Sequence, residues 1–125
     1  MTAAEATNKE NGIIIMVAGA RDGHGGEGFY HNIADVDDPK EFLDAAINTP
    51  RLKTVPDQWT SQILARILVH HHVIFVSDLV DPDLITSMHM DLAKTLDEAL
   101  QKAYEIEGQN SKVTVIPDGL GVIVK

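Results

Sequence analysis

The sequence predicts a single α/β domain with a Rossmann-like, mostly parallel sheet and helices on both of its faces. Three runs of mainly β-branched residues carry neither charges nor the alternation of a half-exposed strand, which is typical of strands covered on both sides. Segments with apolar residues three and four positions apart, which indicate helices, separate these runs. Alternating strands and helices imply right-handed crossovers and therefore parallel strands. The three runs are residues 13–18, 73–76 and 113–116.

Length and composition exclude several classes of protein. The 125 residues are enough for one domain, and 44 % hydrophobic with 23 % charged residues is the composition of a globular protein. The formal charge of −9 argues against binding to a nucleic-acid backbone. The absence of cysteine excludes disulfides, thiolate metal sites and a cysteine nucleophile. No apolar run approaches the ~20 residues of a membrane span, and the first residues do not form a secretory signal, so a cytoplasmic location is expected.

The chain opens with a short helical segment at residues 1–7, which Asn11 and Gly12 end. A helix of this length is marginal by itself. We therefore expect the domain to begin upstream of Met1, so that residues 1–125 are a fragment of a longer protein. The first strand, residues 13–18, follows directly.

Two helices are expected between the first and second strands. Asp38 and Pro39 open one of them, as a capping side chain and a first-turn proline. The other runs from about Gln58 to His70, with Trp59 in its first turn. The apolar stripe of the first of these helices consists of Phe42, Leu43, Ala46 and Ile47.

The second half of the chain repeats these signals. Residues 81–83 start a short helix after the second strand, and residues 88–92 are predicted as a short extra strand. Residues 95–98 have the form of a capping box, which starts a helix expected to end at Gly108. After the third strong strand, residues 121–124 are predicted as a hairpin partner or a further edge strand.

Residues 18–31 form a glycine-rich loop, which holds five of the nine glycines. Such a loop loses much entropy on ordering, so it normally exists where the backbone needs an unusual φ or approaches a ligand closely. It matches neither the phosphate-binding loop nor the dinucleotide fingerprint. A ligand-facing role and a mobile or interface loop therefore both stay open. The candidate ligand-facing residues are Asp22, Gly23, His24, Gly25 and Gly26.

The six histidines do not indicate a metal site. Consecutive side chains at His70, His71 and His72 point in different directions, so at most two could share one ion. No third ligand follows at helical spacing. We expect one of them to pack in the core while the others cap helix carbonyls or face solvent. His24 and His31, on the glycine-rich loop, are better placed for function.

Trp59 is the only tryptophan. A lone tryptophan is more often a core or interface residue than a catalytic one. Its position after Asp57 and Gln58, at a predicted helix start, also suits a polar site there.

The most specific segments are the glycine-rich stretch 22–30 and the Asp-Gln-Trp helix start at 57–59. They resemble the C-terminal domain of the nickel-pincer-dependent lactate racemase family. Four supporting segments extend the resemblance over nearly the whole chain: residues 13–18, 61–66, 98–99 and 117–119.

This resemblance implies that residues 1–125 are the C-terminal domain of a two-domain racemase or epimerase. Its substrate would be lactate or a related small 2-hydroxy acid. Hydride would be transferred to a nickel-pincer nucleotide (pyridinium-3-thioamide-5-thiocarboxylic acid mononucleotide) held by the N-terminal domain, which also carries the acid and base histidines. Here, Trp59 with Gln58 would line one wall of the interdomain cleft. The fragment would hold no catalytic residue, bind no cofactor and be inactive alone.

Two other classes stay open on the residues alone. A nucleotide- or anion-binding Rossmann-like module would explain the sheet pattern and the glycine-rich loop. A structural or oligomerisation domain would need nothing beyond the fold, and the sequence leaves a homo-oligomer open.

Overall fold

The computed structural model describes residues 1–119 of the chain. Within them no helix is long and apolar enough to cross a membrane. The elements in chain order are α1 (Thr2–Thr7), β1 (Ile13–Val17), α2 (Glu27–Ala34), α3 (Pro39–Asn48), a 3-10 helix (Arg51–Lys53), α4 (Gln58–His70), β2 (His72–Val76), α5 (Pro82–Ser87), β3 (Asp91–Ala93) and α6 (Leu96–Glu107).

The strands of the described residues form one parallel sheet in the order β1-β2-β3. Ile15 lies opposite Ile74, and Val76 lies opposite Ala93. Side chains alternate between the two faces of a strand. The predicted parallel α/β sheet is thus confirmed, with β2 at its centre.

Both faces of the sheet are covered, also as predicted. On one face Ile14, Val73 and Phe75 belong to the larger core, to which α2, α4 and α5 contribute Ile33, Leu64 and Ile85. On the other face α6 covers a smaller core. Its buried members are Ile74, Val76, Ala93 and Ala99.

Side-chain caps begin three helices at the positions that the sequence indicates. Asp38 accepts the N–H of Lys40 at 2.8 Å, and Asp81 accepts the N–H of Asp83 at 3.0 Å. The hydroxyl of Thr95 accepts the N–H of Glu98 at 3.2 Å. These bonds satisfy N–H groups that a helix cannot pair internally.

Two element boundaries differ from the prediction, and α2 is a third α-helix between β1 and β2, where two were expected. The strand expected over residues 88–92 is Asp91–Ala93, because α5 continues to Ser87 and His89 turns the chain at φ +59°. The glycine-rich loop is shorter than expected, since α2 already begins at Glu27. Gly28 lies within α2 and weakens its helical pattern in the sequence.

The strand predicted over residues 113–116 was wrong. The described residues form no strand there, and Val113 and Val115 are exposed. A β-branched run becomes a strand only where it pairs with a neighbouring backbone, and this run joins neither edge of the sheet. The prediction for residues 121–124 lies outside the described residues.

Candidate functional site

The glycine-rich loop leaves the carboxyl end of β1, where ligands of open α/β sheets bind. Gly23, Gly25 and Gly26 have φ values of +76°, +82° and +155°. A Cβ at Gly23 or Gly25 would meet nothing within 4 Å. These two glycines therefore serve the backbone conformation of the loop rather than close packing.

Contacts inside the loop engage His24. Its Nδ1 accepts the N–H of Gly26 at 3.2 Å, and its ring stacks on Tyr30 with the ring centroids 4.9 Å apart. The N–H of Gly23 donates to the carbonyl of Ala20 at 3.1 Å. Two N–H groups that an anion would need are thus already paired, which weighs against the anion-binding alternative.

An apolar cavity of about 200 Å³ lies beneath this loop. Among its lining residues in the described chain, His24 has the one ionisable side chain. Such a surface offers little to a phosphate or a nucleotide. Its lining residues include Gly23, His24, Gly25, Leu64, Phe75 and Ile85.

Trp59 lies in the first turn of α4 and is 69 % exposed. Because α4 ends where β2 begins, this first turn lies towards the carboxyl end of the sheet. Leu52, which is 98 % exposed, and Val55 precede it in the chain. A lone tryptophan was expected either in the core or at an interface. The core position is wrong, because the side chain is exposed, and this exposure fits a contact surface.

Gln58, by contrast, is buried, with 7 % exposure. Its Nε2 donates to the carbonyl of Ala46 at 3.3 Å, and its Oε1 accepts the N–H of Val55 at 3.2 Å. Both ends of the amide therefore bind backbone at the start of α4.

The structure brings the glycine-rich segment and the Asp-Gln-Trp helix start together. A Cβ built on Gly28 would stand 3.0 Å from the Asp57 carboxylate, and one on Gly26 would stand 3.7 Å from it. One turn further along each helix, the Asn32 amide donates to the hydroxyl of Ser61 at 3.1 Å. Sequence reasoning did not find this Asn32–Ser61 contact, because neither residue lies in a recognisable motif.

The three consecutive histidines have separate partners. His70 contacts Glu10 and His72 contacts Asp91, both at 2.8 Å. His71 is buried beside Asn8. One histidine in the core and two on the surface is the predicted arrangement.

The other histidines also have local partners. His89 contacts the carbonyls of Ile33 and Val36 at 3.2 and 3.0 Å, near the end of α2. A hydrogen bond that the His31 ring donates to the Asp35 carboxylate, helped by the charge of Asp35, raises the pKa of His31. Across residues 1–119, no group of three or more metal-ligating side chains is arranged so that it could hold a metal ion.

The fold and the exposed surface around Trp59 together define the class of protein. The chain is an α/β domain with Rossmann-like topology, whose exposed tryptophan lies beside the carboxyl end of a parallel sheet. The sequence model of the family described as "Lactate racemase C-terminal domain" matches residues 1–124. The chain belongs to this family.

Similar proteins agree with this assignment. The chain is 88 % identical over 125 residues to a lactate racemase of Lactiplantibacillus plantarum, covering 100 % of this chain and 30 % of that protein. It is 47 % identical to a lactate racemase of Thermoanaerobacterium thermosaccharolyticum, covering 100 % of this chain and 29 % of the relative. The solved lactate racemase apoprotein from T. thermosaccharolyticum superposes with a TM-score of 0.96 at 47 % identity, over 100 % of this chain and 30 % of that structure. The chain thus spans about a third of the length of these relatives.

Proposed function

We propose that this chain is a domain of a lactate racemase-like isomerase and forms one wall of an active-site cleft. The reaction would interconvert the enantiomers of lactate or of a related small 2-hydroxy acid. The remaining two thirds of such a protein would supply the opposite wall, as an N-terminal catalytic domain. The cytoplasm is the proposed location, and neither nucleic acid nor membrane is a proposed partner.

The observation that carries this proposal is the exposure of Trp59. A tryptophan side chain buries a large area in most proteins, so 69 % exposure in a well-packed helix start indicates a surface that another body covers. Leu52 and Val55, which precede Trp59 closely in the chain, are also exposed apolar side chains. Trp59 would exclude water from the closed cleft and help orient the substrate.

The described residues do not fit a nickel-pincer nucleotide. They contain no group of side chains that could hold a metal ion, and the cavity beneath the glycine-rich loop is apolar. We therefore assign the cofactor, and the hydride transfer that it would support, to the N-terminal domain. This chain would bind no cofactor and contribute no acid or base, and its part would be the cleft wall.

In this proposal the glycine-rich residues shape the cleft wall and do not form a charged binding site. Asp22, Gly23, His24, Gly25 and Gly26 would face the cleft as a loop rather than bind the substrate through charged groups. His24 would keep the loop in shape through its contacts with Gly26 and Tyr30.

A chimera tests the role of Trp59. This chain would replace the matching 30 % of the L. plantarum racemase, to which it is 88 % identical. Trp59→Ala should lower kcat for lactate racemisation about tenfold or more, since a loosened site misplaces reacting groups. Trp59→Phe should retain more activity. Ile106→Ala, at an exposed apolar residue of α6, is the matched control and should leave kcat unchanged.

The expected thermal midpoints separate activity from folding. Trp59→Ala removes an exposed side chain and should leave the midpoint near that of the unsubstituted chimera. An unchanged kcat in Trp59→Ala would remove Trp59 from the site. Racemisation by the 125-residue chain alone, supplied with cofactor and lactate, would contradict the assignment of the reacting groups to the other domain.

A further inference from the structure

We infer that Asp57 and Gln58 are positioning residues, which hold Trp59 at the cleft and join it to the glycine-rich loop through Gly28. The inference rests on the proposed function, in which Trp59 faces the cleft. It gives Gln58 a role through Trp59 rather than through contact with substrate.

The first step is the buried amide of Gln58. Its two hydrogen bonds tie the amide oxygen to the backbone N–H of Val55 and the amide nitrogen to the carbonyl of Ala46. The carbonyl of Ala46 also accepts the N–H of Thr49 at the end of α3. Gln58 therefore fixes the first turn of α4 against the end of α3, and Trp59 is the next residue.

The second step is the backbone of Asp57. Its φ of +60° is a left-handed conformation, which few residues other than glycine, asparagine and aspartate adopt. The carbonyl of Asp57 accepts the N–H of Ser61 at 3.0 Å and the hydroxyl of Thr60 at 2.7 Å. These bonds hold the left-handed turn, and the turn sets the direction in which α4 starts.

The third step is the contact with the glycine-rich segment. A Cβ at Gly28 would stand 3.0 Å from the Asp57 carboxylate and 3.5 Å from the Pro56 carbonyl. The first of these distances is tighter than most Cβ contacts, so a side chain at position 28 would require the Asp57 carboxylate to shift, whereas glycine lets α2 approach the Asp57 turn without that shift. The Asn32–Ser61 hydrogen bond supplies a second link between the two helices.

These contacts have a mechanical consequence. The glycine-rich loop leads directly into Gly28, and Asp57 leads directly into Gln58 and Trp59. A displacement of the loop end therefore moves the turn that aims the tryptophan. The loop and Trp59 form one unit of the cleft wall.

Tryptophan anisotropy tests the inference in this chain, where Trp59 is the only tryptophan. Gln58→Met keeps the side-chain length but removes both hydrogen bonds, and Gly28→Ala places a methyl group against Asp57. Each should raise the amplitude of the subnanosecond depolarisation of Trp59 about twofold, because a less constrained side chain reorients on that timescale.

Two matched controls separate this effect from general loosening. Asn8→Ala removes an amide that contacts the carbonyl of Ile13 and the ring of His71, near the opposite end of the sheet. Gly119→Ala adds a Cβ outside the glycine-rich loop, at a position where it would meet nothing within 4 Å. Both controls should leave the depolarisation of Trp59 unchanged.

The result that overturns the inference is depolarisation at the control level in folded Gln58→Met and Gly28→Ala chains. Circular dichroism establishes folding, and Gln58→Met decides the matter if Gly28→Ala does not fold. This readout needs no activity, so it stands even if Trp59→Ala fails to affect racemisation and the proposed function is wrong.

Kinetics in the chimera give an independent readout. Gln58→Met should lower kcat about fivefold with little change in KM, because it misplaces Trp59 without removing a substrate contact. In a Trp59→Ala background the same substitution should cause no further loss. A further loss there would show that Gln58 acts by its own contact and would overturn its positioning role.

Discussion

The link between α2 and α4 can be measured by a double-mutant cycle on Asn32 and Ser61. Ser61 is fully buried, and its hydroxyl accepts from the Asn32 amide at 3.1 Å. The same hydroxyl donates to the carbonyl of Asp57, which keeps two other donors if Ser61 becomes alanine. The loss of stability in Ser61→Ala should therefore arise mainly at Asn32, because its amide loses its hydrogen-bond partner.

The expected magnitude follows from this geometry. An unpaired buried polar group costs about 1–3 kcal/mol, and the half-buried position of Asn32 lets water replace part of the bond. We expect about 1 kcal/mol for each single variant and a coupling energy of about 1 kcal/mol between them. An unfolding entropy of about 2.1 cal/mol/K per residue converts 1 kcal/mol into about 4 °C for 125 residues.

Urea unfolding followed by circular dichroism gives the four free energies of the cycle. As a control, Asn32→Ala is combined with Ser111→Ala, whose hydroxyl donates to Glu107 at the end of α6. That second pair should be additive within about 0.5 kcal/mol. Additivity of Asn32→Ala with Ser61→Ala would refute a direct bond between these helices.

Three further predictions concern the stability of the fold. His31→Gln should lower stability most at acid pH, because Asp35 raises the pKa of His31 in the folded chain. The stabilisation is complete below about pH 6.5, the ordinary pKa of histidine, and is lost as the pH rises through the raised pKa. The urea midpoints of the unsubstituted chain and of His31→Gln should therefore converge above the raised pKa. Arg66→Met should speed hydrogen exchange in α1 while changing global stability by less than about 1 kcal/mol, since the partly exposed pair with Glu5 joins that short helix to α4. Ile74 is fully buried in the central strand. In chemical denaturation, Ile74→Ala should therefore destabilise the fold by about 2–5 kcal/mol and Ile74→Val by about 0.5–1.5 kcal/mol. Equal losses of stability in the two variants would contradict that burial.

Local signals explain how much of the fold the sequence could predict. β2 and α4 carry unbroken apolar patterns, and Asp38 and Asp81 form caps whose chemistry acts over two or three residues. Such features depend on neighbours in the chain. Residues 113–116 have an equally strong β-branched pattern, but a strand needs a partner that a local pattern cannot specify.

The candidate site also combines features that local sequence patterns predict with features that depend on contacts between distant residues. Glycine content correctly marked a loop with left-handed backbone, and the helix start at Asp57 was visible in the sequence. The approach of Gly28 to Asp57 joins residues 29 positions apart, and it depends on how α2 packs on α4. The burial of Gln58 was equally hidden, because a polar residue in a first helical turn normally points to solvent.

The opposite environments of Gln58 and Trp59 follow from their adjacent positions on α4. Successive residues of a helix are about 100° apart around its axis, so a helix start that buries one side chain turns the next one away. Here the buried side chain is a polar amide bonded to backbone, and the exposed one is the largest apolar side chain of the chain. For the stability of this domain alone, the reverse arrangement would bury more apolar area and leave the amide in water. The observed arrangement becomes favourable when a second body covers Trp59, because the buried amide then supplies a fixed base for that contact.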